Sequence, residues 1–207
     1  MSHEIYFRPA APVDTEFKEK KSLFIAHLRI VTNEPEARTA LKEIDSTHKQ
    51  ASHNCWAYRI GYDPVTEYYS DAGEPTGTAG KPILGAIQRV DCSDTLIVVT
   101  RYFGGIKLGV RGLIEAYGQA ATSVLEKISF TKVIPSTLFS ISLSYGQAHT
   151  TIHRLKSMGI SDTAFHVEYG AHVQISVAVP LNTVFAVEEL LSAQSAAGLL
   201  ISYNRLD

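Results

Sequence analysis

The stretch Thr95 to Tyr102, TLIVVTRY, constrains the architecture of this chain more than any other. It is rich in β-branched and apolar residues and too short for an ordinary helix. It therefore reads as a strand buried on both faces, which requires covering elements on each side. The strand runs directly into Gly104, Gly105, Gly109 and Gly112. Beyond them Leu113, Tyr117, Ala120, Val124 and Ile128 keep the three- and four-residue steps of a long helix's apolar stripe.

Upstream, Ser22 to Val31 is rich in strand formers, and Asn33-Glu34-Pro35-Glu36 supplies an N-cap, an early proline and a capping-box glutamate. The helix that follows carries Ala37, Ala40, Leu41, Ile44 and His48 on one face. His53 to Gly61 alternates as a strand, with Cys55 and Trp56 facing opposite ways, so at least one of the two belongs to the core. SDAGEPTGTAGKP, from Ser70, is a shaped loop, and Ile83, Ala86, Ile87 and Val90 then keep helical spacing. A first domain over residues 1–130 and a second over 131–207 follow from this pattern. The second reads as a strand over Ser136 to Leu143 and a helix with Ala148, Ile152 and Leu155 inward that stops at Gly159. Strands over Ile160 to Glu168 and Ala171 to Val179 turn at Tyr169-Gly170, Asn182 caps a helix, and Leu199 to Leu206 closes the sheet. This βαββαβ order is ferredoxin-like, so the predicted class is α+β.

With 45% hydrophobic and 19% charged residues among 207, the chain can bury real cores and lacks the signature of disorder. Cys55 and Cys92 form no CxxC pair, which fits a reducing compartment and offers no cysteine metal site. MSHEIYFRPAAP has no basic segment followed by an apolar one, and no run approaches the roughly 20 apolar residues of a membrane span. A soluble cytoplasmic protein with no membrane partner is expected. A net charge of −2 argues against a globally basic nucleic-acid clamp, so any such site is a local patch.

Both glycine-rich loops, SDAGEPTGTAGKP and RYFGGIKLGVRG, open helices and can present backbone N–H groups to an anion. Neither is a P-loop or a dinucleotide fingerprint, and glycines also serve turns and close packing. Between Pro75 and Gly118 five basic residues face three acidic ones, an excess that Asp71 and Glu74 cancel. Arg101 ends the buried strand beside Tyr102 and Phe103. It is placed either for stacking and bidentate contacts or for an ion pair with Asp71 or Glu74 that ties the loops together. His53, Asp71 and Glu74 suffice in principle for acid–base chemistry, but no nucleophile or metal set accompanies them, which weighs against an enzyme. His149 and His153, at i and i+4, lack further ligands and read as a solvated helix face. No catalytic residue, metal or cofactor is assigned.

SDAGEPTGTAGKPIL and IVVTRYFGGIKLGVRGLIEAYG closely resemble the two signature stretches of the IMPACT family, to which the bacterial YigZ-like proteins belong. HNCWAYRIG, the PAAP near Pro9 and the YGQ at Tyr145 to Gln147 extend the resemblance over nearly the whole chain. It implies a first domain akin to domain IV of elongation factor G and its ribosomal-protein βαβ relatives. The second would be akin to that factor's C-terminal ferredoxin-like domain. Eukaryotic members resemble only the first domain, add a different module and regulate translation through the activator of an amino-acid-starvation kinase. That partner is not carried over here. Some members have been labelled proline dipeptidases, a label for which this sequence shows no metal-ligand set.

The leading expectation is a translation-linked regulator that binds RNA, the ribosome or a translation factor. The candidate residues are Asp71, Glu74, Thr76, Gly77, Thr78, Gly80, Lys81, Arg101, Tyr102, Gly104, Gly105, Lys107 and Arg111. A small-molecule binder or hydrolase with a phosphate or carboxylate pocket, and a protein–protein scaffold, are the alternatives; homo-oligomerisation is left open.

Overall fold

The computed structural model describes residues 5–206, so the first four residues of the amino-terminal stretch read above lie outside the described residues. The chain divides into two compact units, with the break between Val133 and Ile134.

The first unit contains, in order, β1 (Tyr6–Pro9), β2 (Val13–Glu19), β3 (Ser22–Ile30), α1 (Glu34–Thr47), β4 (His53–Ile60), β5 (Thr66–Ser70), α2 (Gly80–Arg89), β6 (Thr95–Tyr102), α3 (Gly109–Leu125) and β7 (Phe130–Val133). Among the described residues, five strands form an antiparallel sheet in the order β2-β3-β6-β4-β5, and β1 pairs with β7. The apolar run at 95–102 is the central strand, as its composition requires. Ile97 and Val99 pack with α2 and α3 on one face, while Leu96 and Val98 pack with α1 on the other. All four are fully buried. Side chains of this size each contribute roughly 1.5–3 kcal/mol on burial.

The start of α1 is a capping arrangement with one displacement. Asn33 Oδ1 accepts from Glu36 N at 2.9 Å, and Glu36 Oε2 accepts from Thr32 N at 2.7 Å, one residue earlier than the usual box. Helix α1 then buries Ala37 and Ile44, the centre of its apolar stripe. Cys55 is the core member of the Cys55-Trp56 pair.

The second unit runs β8 (Ser136–Leu143), α4 (Tyr145–Ser157), β9 (Phe165–Tyr169), β10 (Val173–Pro180), α5 (Val184–Ala196) and β11 (Ser202–Leu206). Its sheet order, β11-β8-β10-β9, is antiparallel throughout. Phe139, Ile141, Val173, Ile175 and Val177 point to one core with Leu155, Val187 and Leu191 of the helices. Three expectations shift. Asp162–Ala164 is a 3₁₀ turn capped by Ser161, so β9, the second strand of this unit, is shorter than Ile160 to Glu168. Asn182 lies inside another 3₁₀ turn, and α5 starts after Thr183 with no side-chain cap. The last strand starts at Ser202, because Gly198 adopts φ +69° and Leu199 N bonds back to Gln194 O to close the helix.

Candidate functional site

Asp71, at the end of β5, organises the first glycine loop from inside. Its carboxylate accepts the backbone N–H of Gly77 at 2.8 Å, Ala79 at 2.9 Å and Gly80 at 2.8 Å. Burial alone would raise this carboxyl, but the three donors outweigh it and hold the group below the ordinary carboxylate range. The N-terminus of α2, expected to be open to an external anion, thus already holds an internal one. Thr78 is buried, its Oγ1 donating to Pro75 O at 2.6 Å. Gly80 has to be glycine, since a Cβ would stand 2.8 Å from the backbone of Ser70.

Glu74 and Arg101 tie the two loops together. Arg101 Nη1 donates to Glu74 Oε1 at 2.6 Å, and the two side chains are 7% and 4% exposed. Tyr117, from α3, donates its hydroxyl to the same Oε1 at 2.9 Å. The Arg101 guanidinium lies 5.5 Å from the ring centre of Phe24 and 5.4 Å from that of Phe103. Of the roles open to Arg101 from the sequence, the structure places it in the ion pair with Glu74, while Asp71 bonds backbone instead. Burial pushes the Cys55 thiol up to about 12, and its Sγ donates to Asp71 O at 2.9 Å. The Tyr117 phenol is likewise pushed far above its usual value, first by burial and then by Cys55 and Glu74. These groups are neutral donors or engaged acceptors near neutrality, an arrangement suited to holding loops in place.

Above the ion pair lies a cleft of about 510 Å³, walled by Pro75, Phe103, Leu108, Val110 and Leu113 and reached also by His53 and Lys107. His53 Nδ1 is 2.9 Å from Ala72 O. The start of α3 faces the same space, and its cap residue, Leu108, offers no side-chain acceptor. Gly104 makes the closest approach of the region, since a Cβ there would lie 2.0 Å from Lys21 O. This contact brings the β2–β3 turn, with exposed Lys20 and Lys21, against the loop that carries Phe103 and Lys107. Among the described residues Lys20, Lys21, Lys81 and Lys107 enter no ion pair, whereas Arg111 pairs with Glu115 at 2.8 Å.

Residues 20–125 match the model of the Impact N-terminal domain. IMPACT family member YigZ of Escherichia coli (strain K12) is 34% identical over 86% of this chain and 87% of its own length. The chain belongs to the IMPACT family. IMPACT family member YvyE of Bacillus subtilis (strain 168) is 45% identical over 59% of this chain and 57% of that protein. A crystal structure of a hypothetical protein, 30% identical, superposes with a TM-score of 0.70 over 99% of this chain and 97% of that one.

The IMPACT signature residues do not form one surface in this chain. Glu74, Arg101 and Lys107 surround the cleft, while Gly77, Thr78 and Gly80 are wound on Asp71. Tyr102 turns to the opposite face of the sheet, where its hydroxyl meets His48 Nδ1 at 2.9 Å. Thr76, Lys81, Gly105 and Arg111 are exposed. The sequence reading omitted Ser22, which bonds Gly104 N at 3.3 Å, as well as Lys20 and Lys21. An adjacent lysine pair between two strand-forming segments, a turn tip, was the one available signal.

Proposed function

We propose that this IMPACT-family chain is a translation-linked binding protein rather than an enzyme. It takes hold of RNA of the translation machinery through the end of the first unit that carries Lys20, Lys21, Lys107 and Phe103. The observation that carries the reading is the approach of Gly104 to the backbone of Lys21, which sets the turn of Lys20 and Lys21 against the loop that carries Lys107 and the half-exposed Phe103 ring. Cationic side chains beside a ring on which a base can stack form the basic unit of sequence-tolerant RNA binding. The family resemblance, with its likeness to elongation factor G domains, supports a place in translation; it is an argument by analogy of fold. Engagement of Asp71, Glu74 and Cys55 in internal bonds weighs against hydrolysis.

The test is co-sedimentation with ribosomes and binding to structured RNA across a salt series. Binding should weaken linearly in log–log form, and Lys20→Ala/Lys21→Ala should reduce the slope by about 1 for each phosphate contact removed. Arg101→Ala is a poor probe, because it breaks the loop tie. Binding that is indifferent to salt and to the lysines would move the reading to a protein translation factor as partner.

A further inference from the structure

The cleft over the Glu74–Arg101 pair has the size of a small-molecule site, about 510 Å³ against the roughly 300–1,000 Å³ usual for such pockets. Its walls are apolar, and Phe103 and Val110 remain 49% and 62% exposed. The polar side chains that line it are Ser52, His53, Glu74, Arg101 and Lys107, and the Glu74 carboxylate is the one anion among them. Glu74 takes only Nη1 of Arg101; among the described residues Nε has no hydrogen-bond partner, and Nη2 reaches only Ser22 Oγ at 3.5 Å. Arg101 is 6% exposed and lines the cleft; its Nε is itself shut off from solvent with its donor unmet, which is unfavourable as it stands. An arginine's Nε–Nη2 edge is a fork that matches the two oxygens of a carboxylate. The α3 helix, 17 residues long and without a side-chain cap, opens into the same space with its first-turn N–H groups. Since Glu74 cancels Arg101, Lys107 is the uncompensated charge at the rim.

The geometry points to a second function for this unit: the cleft binds a small monocarboxylate with an apolar body. The carboxylate is met by the Arg101 fork, the start of α3 and Lys107, and the body lies against Phe103 and Val110. One uncompensated lysine and apolar walls suit a monoanion and leave the second charge of a phosphate ester unmatched. This goes beyond the RNA reading and shares Phe103 and Lys107 with it, whereas Lys20 and Lys21, which that reading also needs, do not line the cleft, so Lys20→Ala/Lys21→Ala tests the RNA reading alone.

The test is a titration of the full chain with phenylacetate near neutral pH, followed by backbone amide resonances, with phenylacetamide as the uncharged control. The acid should shift Phe103 and Leu108 to Val110 saturably, and the amide should bind at least about tenfold more weakly. Val110→Asp, at an exposed position, should abolish the shifts, and Lys107→Ala should weaken them several-fold. Arg101→Lys keeps the charge but loses the fork, and should bind about tenfold more weakly while the amide spectrum stays native. Equal binding of acid and amide would overturn the proposal, as would the absence of saturable shifts at these positions. Shifts that persist in Val110→Asp would place the binding elsewhere and overturn it too.

Discussion

Arg101 and Glu74 meet at 2.6 Å with both side chains almost wholly removed from water, one at the end of the central strand and the other in the loop before α2. Removing one partner leaves the other as a buried, unpaired charge. Glu74→Ala is expected to destabilise the protein by about 3–5 kcal/mol. The double variant Glu74→Leu/Arg101→Met should recover part of that loss, because neither charge then remains. Urea denaturation of Glu74→Leu, Arg101→Met and the double variant checks this, and additive effects of the two sites would contradict a coupled pair.

Asp71 makes the first loop pH-sensitive. Its carboxyl titrates below the unfolded value of ~3.9, because three backbone N–H groups favour the ionised form over the opposing effect of burial. A depressed native pKa adds stability that is present above the unfolded value and is lost as pH falls through the native one. Asp71→Asn should therefore cost about 1–2 kcal/mol at neutral pH, in the range of a lost helix cap. It should also flatten the acid limb of stability below about pH 4. Thermal melts of both proteins from neutral to acid pH measure the difference.

How much of this was legible differs by element. The central strand declared itself because both its faces are buried, so no polar alternation interrupts TLIVVTRY. The Val13–Glu19 strand, an edge with the pattern VDTEFKE, was missed; its alternate charges face solvent and the signal lies only in Val13, Thr15 and Phe17. The 3₁₀ turns around Asp162 and Asn182 were absorbed into neighbouring elements, since a three-residue turn has no period to read. In the candidate site the residues were legible and their bonds were not. Nothing local distinguishes Asp71 from Glu74 as the partner of Arg101. That choice depends on the path of the loop, which follows from three N–H groups converging on Asp71.

Cys55 should be inert in the native protein. It is fully buried, its thiol is pushed up to about 12 chiefly by burial, and Cys92, also fully buried, is raised for the same leading reason. A thiol-reactive chromogenic reagent at mildly alkaline pH is expected to leave the native protein unmodified and to find both cysteines in denaturant. Rapid labelling of Cys55 without denaturant would mean that the loop over it opens readily.

His27 sits on the α1 side of the sheet, 4% exposed, with its Nδ1 3.2 Å from Asp14 and its ring 4.9 Å from that of His48. Burial lowers its pKa; Asp14 opposes this, and His48 and Arg29 add to it. A lowered native pKa means that the unfolded chain takes up a proton first as pH falls from the unfolded value of ~6.5. Its contribution is thus fully present above that pH and is lost below it, toward the native value. Stability should decline from pH 7 to pH 5.5, and His27→Gln should lessen that slope. Chemical denaturation at the two pH values provides the check.

Gly104 and Gly105 are adjacent but are required for different reasons. At Gly105 the backbone has φ +86° and a Cβ would meet nothing within 4 Å, so Gly105→Ala costs only the left-handed conformation, about 1–2 kcal/mol. At Gly104 a Cβ would stand 2.0 Å from Lys21 O, and the β2–β3 turn has to move to make room. The displaced turn carries Lys20 and Lys21, so Gly104→Ala should weaken RNA binding and lower its salt slope while Gly105→Ala leaves both unchanged. Comparing the two alanine variants under conditions where both remain fully folded separates placement of the lysines from general loosening of the fold. Equal loss of binding in both would show that the approach of the turn is not what gathers the lysines for RNA.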